Sequence, residues 1–220
     1  MFKSNNIFED IPDDVIIWRY MSLDKFFNLI RLQTLYLCRV DMLYDRYECS
    51  LTDTDKKYFY FSSNDYWERN AKRHFINCWA ESNHELSMMW DTYGKHGVAI
   101  KSTVGHLKSC MKDDVEHIVR ISRVKYIEPE TGSSQISGMP LNALRIPMTK
   151  RIYYEQEKEI RILYNMDTIE TRTYIELPIN VKELIDEIKV YPGAPEDFLN
   201  IVNSELKSHG IKLSATYSNI

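Results

Sequence analysis

Tyr153-Tyr-Glu-Gln-Glu-Lys-Glu-Ile-Arg-Ile-Leu-Tyr164 sets Glu155, Glu157, Glu159 and Arg161 at every second position and ends in an apolar run. In a strand, where successive side chains alternate faces, those four share one face while Ile160 and Ile162 take the other. Three carboxylates on one face repel each other unless cations answer them. The array is therefore solvated, paired with Arg161 and other basic groups, or a site.

Outward from this stretch, residues 15–20, 35–38, 75–80, 96–101, 119–126, 171–177, 184–191 and 211–214 read as strands. Helical signals fall over 23–30, 53–73, 86–93, 104–111 and 196–208. Ser22 stands as the N-cap of the first helix and Pro195 opens the last, while Gly94 and Gly210 are placed as terminators. Residues 41–54 form a polar connection with aromatic anchors, and 128–142 carries the Pro, Gly and Ser signals of a mobile loop. Neither a repeat nor a low-complexity tract interrupts this order. The expectation is a single α+β domain over 1–220, with a central, mostly antiparallel split or curved sheet flanked by helices.

The 220 residues, 44% hydrophobic, suffice for one sizeable core. A formal net charge of -4 gives no overall field that recruits nucleic acid or an anionic membrane, though a local basic groove remains compatible with it. Fifteen tyrosines supply apolar bodies with polar tips suited to pockets and interfaces. The four cysteines show no C-x-x-C pair and are expected as free thiols, although spacing alone leaves pairing open. The polar start lacks the apolar core of a signal peptide and no apolar run reaches roughly 18 residues, so the expected location is cytoplasmic.

Arg19 lies inside an apolar strand and needs a partner if buried, for which Asp45 or Glu48 would serve. Trp90 and Tyr93, three apart on a helix, suit either core packing or stacking on a planar ring. His96 is a candidate ligand or base, or a structural hydrogen-bonding residue. His74, Cys78 and His84 make no recognised zinc spacing, and no metal centre is expected in the leading reading. Asp45, Glu48, Glu157 and Glu159 with Lys150 also admit a magnesium-dependent nuclease or phosphodiesterase. A non-enzymatic nucleotide-binding or interaction domain is the third alternative. With seven glycines and no G-x-G-x-x-G or G-x-x-x-x-G-K segment, Rossmann and P-loop readings are disfavoured.

Four segments carry a resemblance to a bacterial family, domain of unknown function 2971: Trp18-Arg-Tyr20 with Ser22; Leu43-Tyr-Asp-Arg-Tyr-Glu48; Cys78-Trp-Ala-Glu81 followed by Met89, Trp90, Tyr93, His96, Gly97 and Val98; and Lys150 followed by Tyr154, Glu157, Glu159 and Arg161. The second departs from the family pattern, which usually carries Asn-Asp-Pro where this chain has Tyr44, Asp45 and Arg46. More distantly, a basic residue on a first strand, an aromatic on a middle element and a Glu on a later strand resemble the ADP-ribosyltransferase superfamily. That resemblance implies NAD as substrate. It assigns Arg19 to the dinucleotide, Tyr93 to the nicotinamide pocket and Glu157 to the ribose hydroxyl, with Asp45, Glu48, Trp90, His96, Lys150, Glu159 and Arg161 in support. It further implies a bacterial or phage conflict system as the setting.

Overall fold

The structure is a computed structural model that describes residues 8–45, 47–58, 64–111, 119–128, 130–133 and 143–220. The chain divides into two compact units: Met1–Ile11, Tyr36–Cys78 and Val115–Ile175 form the first, and Pro12–Leu35, Trp79–Asp114 and Glu176–Ile220 form the second. The strands pair mostly antiparallel and are flanked by helices, which is the α+β class expected from the strand and helix signals. No helix among the described residues is long and apolar enough to cross a membrane.

In the second unit, β1 (Ile16–Ser22) pairs antiparallel with β4 (Gly97–Thr103) over its whole length, from Ile16↔Thr103 to Ser22↔Gly97. Gly97 is required there, because a Cβ would stand 2.0 Å from the Met21 carbonyl oxygen. β10 (Glu187–Val190) adds antiparallel to the far side of β4, and β11 (Thr216–Tyr217) runs parallel to β10. The helix α1 (Leu23–Leu32) buries Phe26, Leu29 and Ile30, the i, i+3, i+4 stripe that its sequence predicts. Ser22 occupies the N-cap position but accepts no hydrogen bond there from a helical N–H.

The 86–93 helix is α4 (Ser87–Met89) running directly into a π turn, Trp90–Gly94. Gly94 does not act as the left-handed terminator that was expected; positive φ falls on His96 (53°) instead. What Gly94 supplies is space, since a Cβ would lie 2.4 Å from Cε3 of the Trp90 ring. Trp18, Tyr20, Ala80, Met89, Trp90 and Ala99 form a buried cluster beside it. The 104–111 helix is α5 (Val104–Ser109), and 184–191 resolves into α6 (Val181–Leu184) and β10. The last helix, α7 (Glu196–Ser208), follows Pro195 and ends before Gly210 at φ 65°, as its proline and glycine signals indicated. Residues 211–214 are not a strand; the pairing with β10 begins at Thr216.

In the first unit, the end of β2 (Thr34–Arg39) pairs antiparallel with the start of β3 (His74–Glu81) at Cys38↔Ile76 and Arg39↔Phe75. The 53–73 region contains two helices, α2 (Asp53–Tyr58) and α3 (Asn64–Ala71). The 119–126 strand breaks at Val124 into β5 (Val119–Arg123) and β6 (Lys125–Ile127), and β6 turns to pair parallel with β7 (Thr149–Arg151). Most of the loop expected over 128–142 lies outside the described residues.

The opening stretch departs from a continuous strand. Ile152–Glu157 is a 3-10 turn, Lys158 takes a left-handed conformation at φ 43°, and only then does β8 (Glu159–Asn165) begin, antiparallel to β5. β9 (Tyr174–Pro178) occupies the β-prone 171–177 region. A core of Val40, Cys49, Trp67, Ala71, Ile76, Ile146, Met148 and Leu163 fills this unit.

Candidate functional site

In β8 the alternation of buried side chains puts Glu159, Arg161 and Leu163 on the face turned to this core, so Glu159 and Arg161 are 4% and 0% exposed. The solvated-face reading of the array fails for these two and for Glu157, 6% exposed, and holds for Glu155, which is exposed on the 3-10 turn. Arg161 is answered on every side. Its Nε donates to Glu159 Oε1 at 2.6 Å, its Nη1 to the Pro147 carbonyl at 2.6 Å and towards Cys49 Sγ at 3.3 Å, and its Nη2 to Glu48 Oε1. The planar fork suits this multiple engagement in a way a lysine ammonium would not.

Lys150, 7% exposed on β7, is the second cation of the cluster. Its Nζ lies 2.6 Å from Glu157 Oε2, 3.2 Å from Glu159 Oε2 and 3.6 Å from Glu48 Oε1. The Tyr154 ring centroid stands 4.9 Å from the same ammonium, a cation–π contact. Glu157 reaches Lys150 from the end of the 3-10 turn, not from the strand, because the left-handed Lys158 re-aims the chain between Glu157 and Glu159. Spacing by two is thus not what gathers these acids; a turn and a strand converge on one lysine.

The electrostatics follow from burial and pairing. Burial works against the charged form of Glu159, yet Arg161 and Lys150 hold its carboxyl down at about 2. Burial likewise opposes the Lys150 ammonium, and Glu159, Glu48 and Glu157 together raise its pKa above the ordinary value. Burial pushes the Cys49 thiol up to about 12 and the Cys78 thiol well above its usual range, so both stay protonated beside the cluster. The Tyr126 hydroxyl, pushed up to about 12 by burial, accepts the Glu159 backbone N–H at 2.8 Å. Cys49, Pro147 and Tyr126 carry no sequence signal as members of this cluster, since they act on it through neutral or main-chain groups.

Asp45 stands apart from the network: its Oδ1 accepts from the Tyr47 backbone N–H at 2.9 Å, an Asx turn. Glu48, one of the two partners proposed for Arg19, is engaged by Arg161 and Lys150.

The remaining candidates belong to the second unit. Arg19, half-buried on β1, places its guanidinium carbon 6.0 Å from the Trp79 ring centroid. Trp90 is 3% exposed, meets Tyr20 edge-on at 5.1 Å and donates from Nε1 to Glu85 Oε2 at 3.1 Å. That is the geometry of a core aromatic. Tyr93, 46% exposed in the π turn, is the aromatic here that can meet a ring from solvent. His96 packs edge-on against Tyr191 at 5.0 Å.

No family model matches the chain, and no curated protein matches it. Among solved structures it is similar to Thermus sp. 2.9 DarT in complex with NAD+, with a TM-score of 0.42 and 11% identity, covering 94% of this chain and 97% of that one.

Proposed function

We propose that the protein is an ADP-ribosyltransferase-like, NAD-processing enzyme in which Glu157 supplies the carboxylate for the ribose. The observation that carries this reading is the 2.6 Å contact between Glu157 Oε2 and Lys150 Nζ. A charge-assisted hydrogen bond fixes the acid, itself 6% exposed, in a turn whose neighbouring Glu155, Gln156 and Lys158 are exposed. Breaking the N-glycosidic bond sends its electron pair to nicotinamide and leaves positive charge on the ribose. A pre-oriented anion stabilises that charge without reorganising.

In this reading Arg19 takes the pyrophosphate through its forked donors and Tyr93 takes the nicotinamide ring. Trp90 and His96 support them, Asp45 shapes the turn leading to Glu48, and Glu48, Glu159, Arg161 and Lys150 hold Glu157. The setting is a bacterial or phage conflict system, with the chain acting in the cytoplasm. The magnesium reading is weaker because Lys150 and Arg161 already occupy Glu48, Glu157 and Glu159, and an ion would have to displace them.

Thermal-shift titration with NAD, with and without magnesium, tests the proposal. NAD stabilises the parent protein independently of magnesium, and Arg19→Ala loses that stabilisation. A shift that requires magnesium, or the absence of any shift, overturns it.

A further inference from the structure

In the second unit one carboxylate joins two segments far apart in sequence. Glu85 Oε2 accepts from Trp90 Nε1 at 3.1 Å and from Ser218 Oγ at 2.6 Å, while its Oε1 accepts from the Asn219 backbone N–H at 2.9 Å. Ser218 Oγ in turn accepts from the Ile220 N–H at 3.2 Å. Both oxygens of Glu85 therefore engage the segment 216–220, and one of them also engages the Trp90 indole.

The base of that segment is held independently. Ala215, 4% exposed, donates its N–H to Asn203 Oδ1 at 2.7 Å, and its carbonyl accepts from Asn203 Nδ2 at 3.4 Å, so one side chain of α7 pairs both of its backbone groups. Beyond Ala215 the hold is thin. β11 has two residues, both exposed, and its ladder to β10 spans Lys189↔Thr216 and Val190↔Tyr217. Lys189 Nζ adds a bond to Thr216 Oγ1 at 3.0 Å, and the Ser218 N–H donates to the Val190 carbonyl at 3.2 Å. A short, exposed edge ladder belongs to the low-stability end of a fold, where opening is local and leaves the rest intact. The bonds to Glu85 thus carry much of what keeps it closed.

On its other side Glu85 leads to Tyr93. The Trp90 ring packs so closely on Gly94 that a Cβ there would lie 2.4 Å from Cε3, and these two residues begin and end the π turn on which Tyr93 stands, 46% exposed. The chain entering the turn has a core anchor, the Leu86 N–H donating to Tyr20 Oη at 2.7 Å. The indole end is anchored through Glu85, whose carboxylate the segment 216–220 orients.

We propose that segment 216–220 is a strap, hinged after Ala215 and latched on Glu85, and that its opening loosens the π turn that carries Tyr93. No group of the Glu157 cluster takes part and no ligand is needed. Negative charge at position 218 opens the latch, because it meets the Glu85 carboxylate at hydrogen-bond distance with the donor hydroxyl gone.

Site-resolved hydrogen exchange on the parent, Ser218→Asp and Glu85→Gln tests the strap, following backbone amides and the Trp90 indole N–H. In Ser218→Asp, exchange at the 218 and 219 amides rises at least about tenfold, as for lost hydrogen bonds to a charged group. The Trp90 indole and the amides of 90–94 rise severalfold with them, and the Ala215 amide and those of α7 keep their parental rates. Glu85→Gln, which keeps the shape of the side chain and loses its charge, moves the same protons in the same direction. Parental rates at 218 and 219 in both variants would mean that Glu85 is no latch. Faster exchange there with the indole and the turn unchanged would mean that the strap and the turn are not coupled, and an equal rise at Ala215 and along α7 would mean a general loss of stability. Each of these three results overturns the proposal. All are read without NAD, so failure here and failure of the NAD reading are distinguishable.

Discussion

Lys150 grips Glu157 at 2.6 Å from across a left-handed turn at Lys158, and the same ammonium reaches Glu159 at 3.2 Å on the strand beyond. One lysine therefore ties a buried acid of the turn to a buried acid of the strand whose other oxygen is held by Arg161. The pairing fixes where the turn ends and the strand starts, and it makes the position of Glu157 depend on the core of the first unit.

Removing that cation leaves carboxylates buried without their partner, which typically costs about 3–5 kcal/mol. Lys150→Met is expected to lose stability of that order in denaturant unfolding. In a double-mutant cycle with Glu157→Gln, the 150–157 pair is expected to show a coupling of about 0.5–3 kcal/mol. Strict additivity of the two changes would show that the contact contributes nothing.

Arg161→Lys keeps the charge and loses the fork. The Pro147 carbonyl, Glu48 and Glu159 cannot all be reached by one ammonium, so a loss of at least about 2 kcal/mol is expected. An unfolding midpoint matching the parent would mean that any buried cation suffices.

The class of fold was legible because β1, β2, β3 and β4 combine apolar runs with turn residues at their ends, and α1 and α7 carry helical stripes. The acidic stretch misled for one reason. Its alternation is that of a strand, but a lysine, a residue type that rarely takes positive φ, bends the chain at 158. Alternation joined Glu157 and Glu159 to Arg161, and the magnesium alternative joined Glu48, Glu157 and Glu159 to Lys150, but it also included Asp45, which the structure holds in a local turn. The Pro147 carbonyl, the Cys49 thiol and the Tyr126 hydroxyl were invisible, because nothing in a sequence says which distant backbone or neutral group a buried guanidinium or amide will meet. Trp90 read as core more readily than as site, and its burial against Tyr20 and Met89 bears out the core reading.

His74 offers a test in acid. Its Nδ1 lies 2.8 Å from the Asn70 carbonyl, and burial lowers its pKa from 6.5 to about 4. The unfolded chain takes up the proton first, so the stability from this group is complete above pH 6.5 and is lost as pH falls through about 4. Its full weight is roughly 3 kcal/mol. Glu159, held at about 2 against an ordinary 4.5, adds a second loss in the window below. His74→Gln is expected to flatten unfolding free energy between pH 6.5 and 4 while leaving the lower limb; an unchanged slope in the upper window would contradict this.

Gly94→Ala drives a methyl to 2.4 Å from the Trp90 ring, which is itself boxed in by Tyr20 and Met89. A loss of about 1–3 kcal/mol is expected, as for other overpacked sites. Denaturant midpoints equal to the parent would show that the π turn can shift to make room.

The most direct test of the central claim is nicotinamide release from NAD in the presence of a chelator, measured on the parent and on Glu157→Gln. Release by the parent, and a loss of at least about 100-fold in a Glu157→Gln protein that keeps its fold and its NAD-induced thermal shift, is the predicted result, as expected when a transition-state charge partner is removed. Release at the parental rate by Glu157→Gln, or none by the parent in any condition, would contradict it.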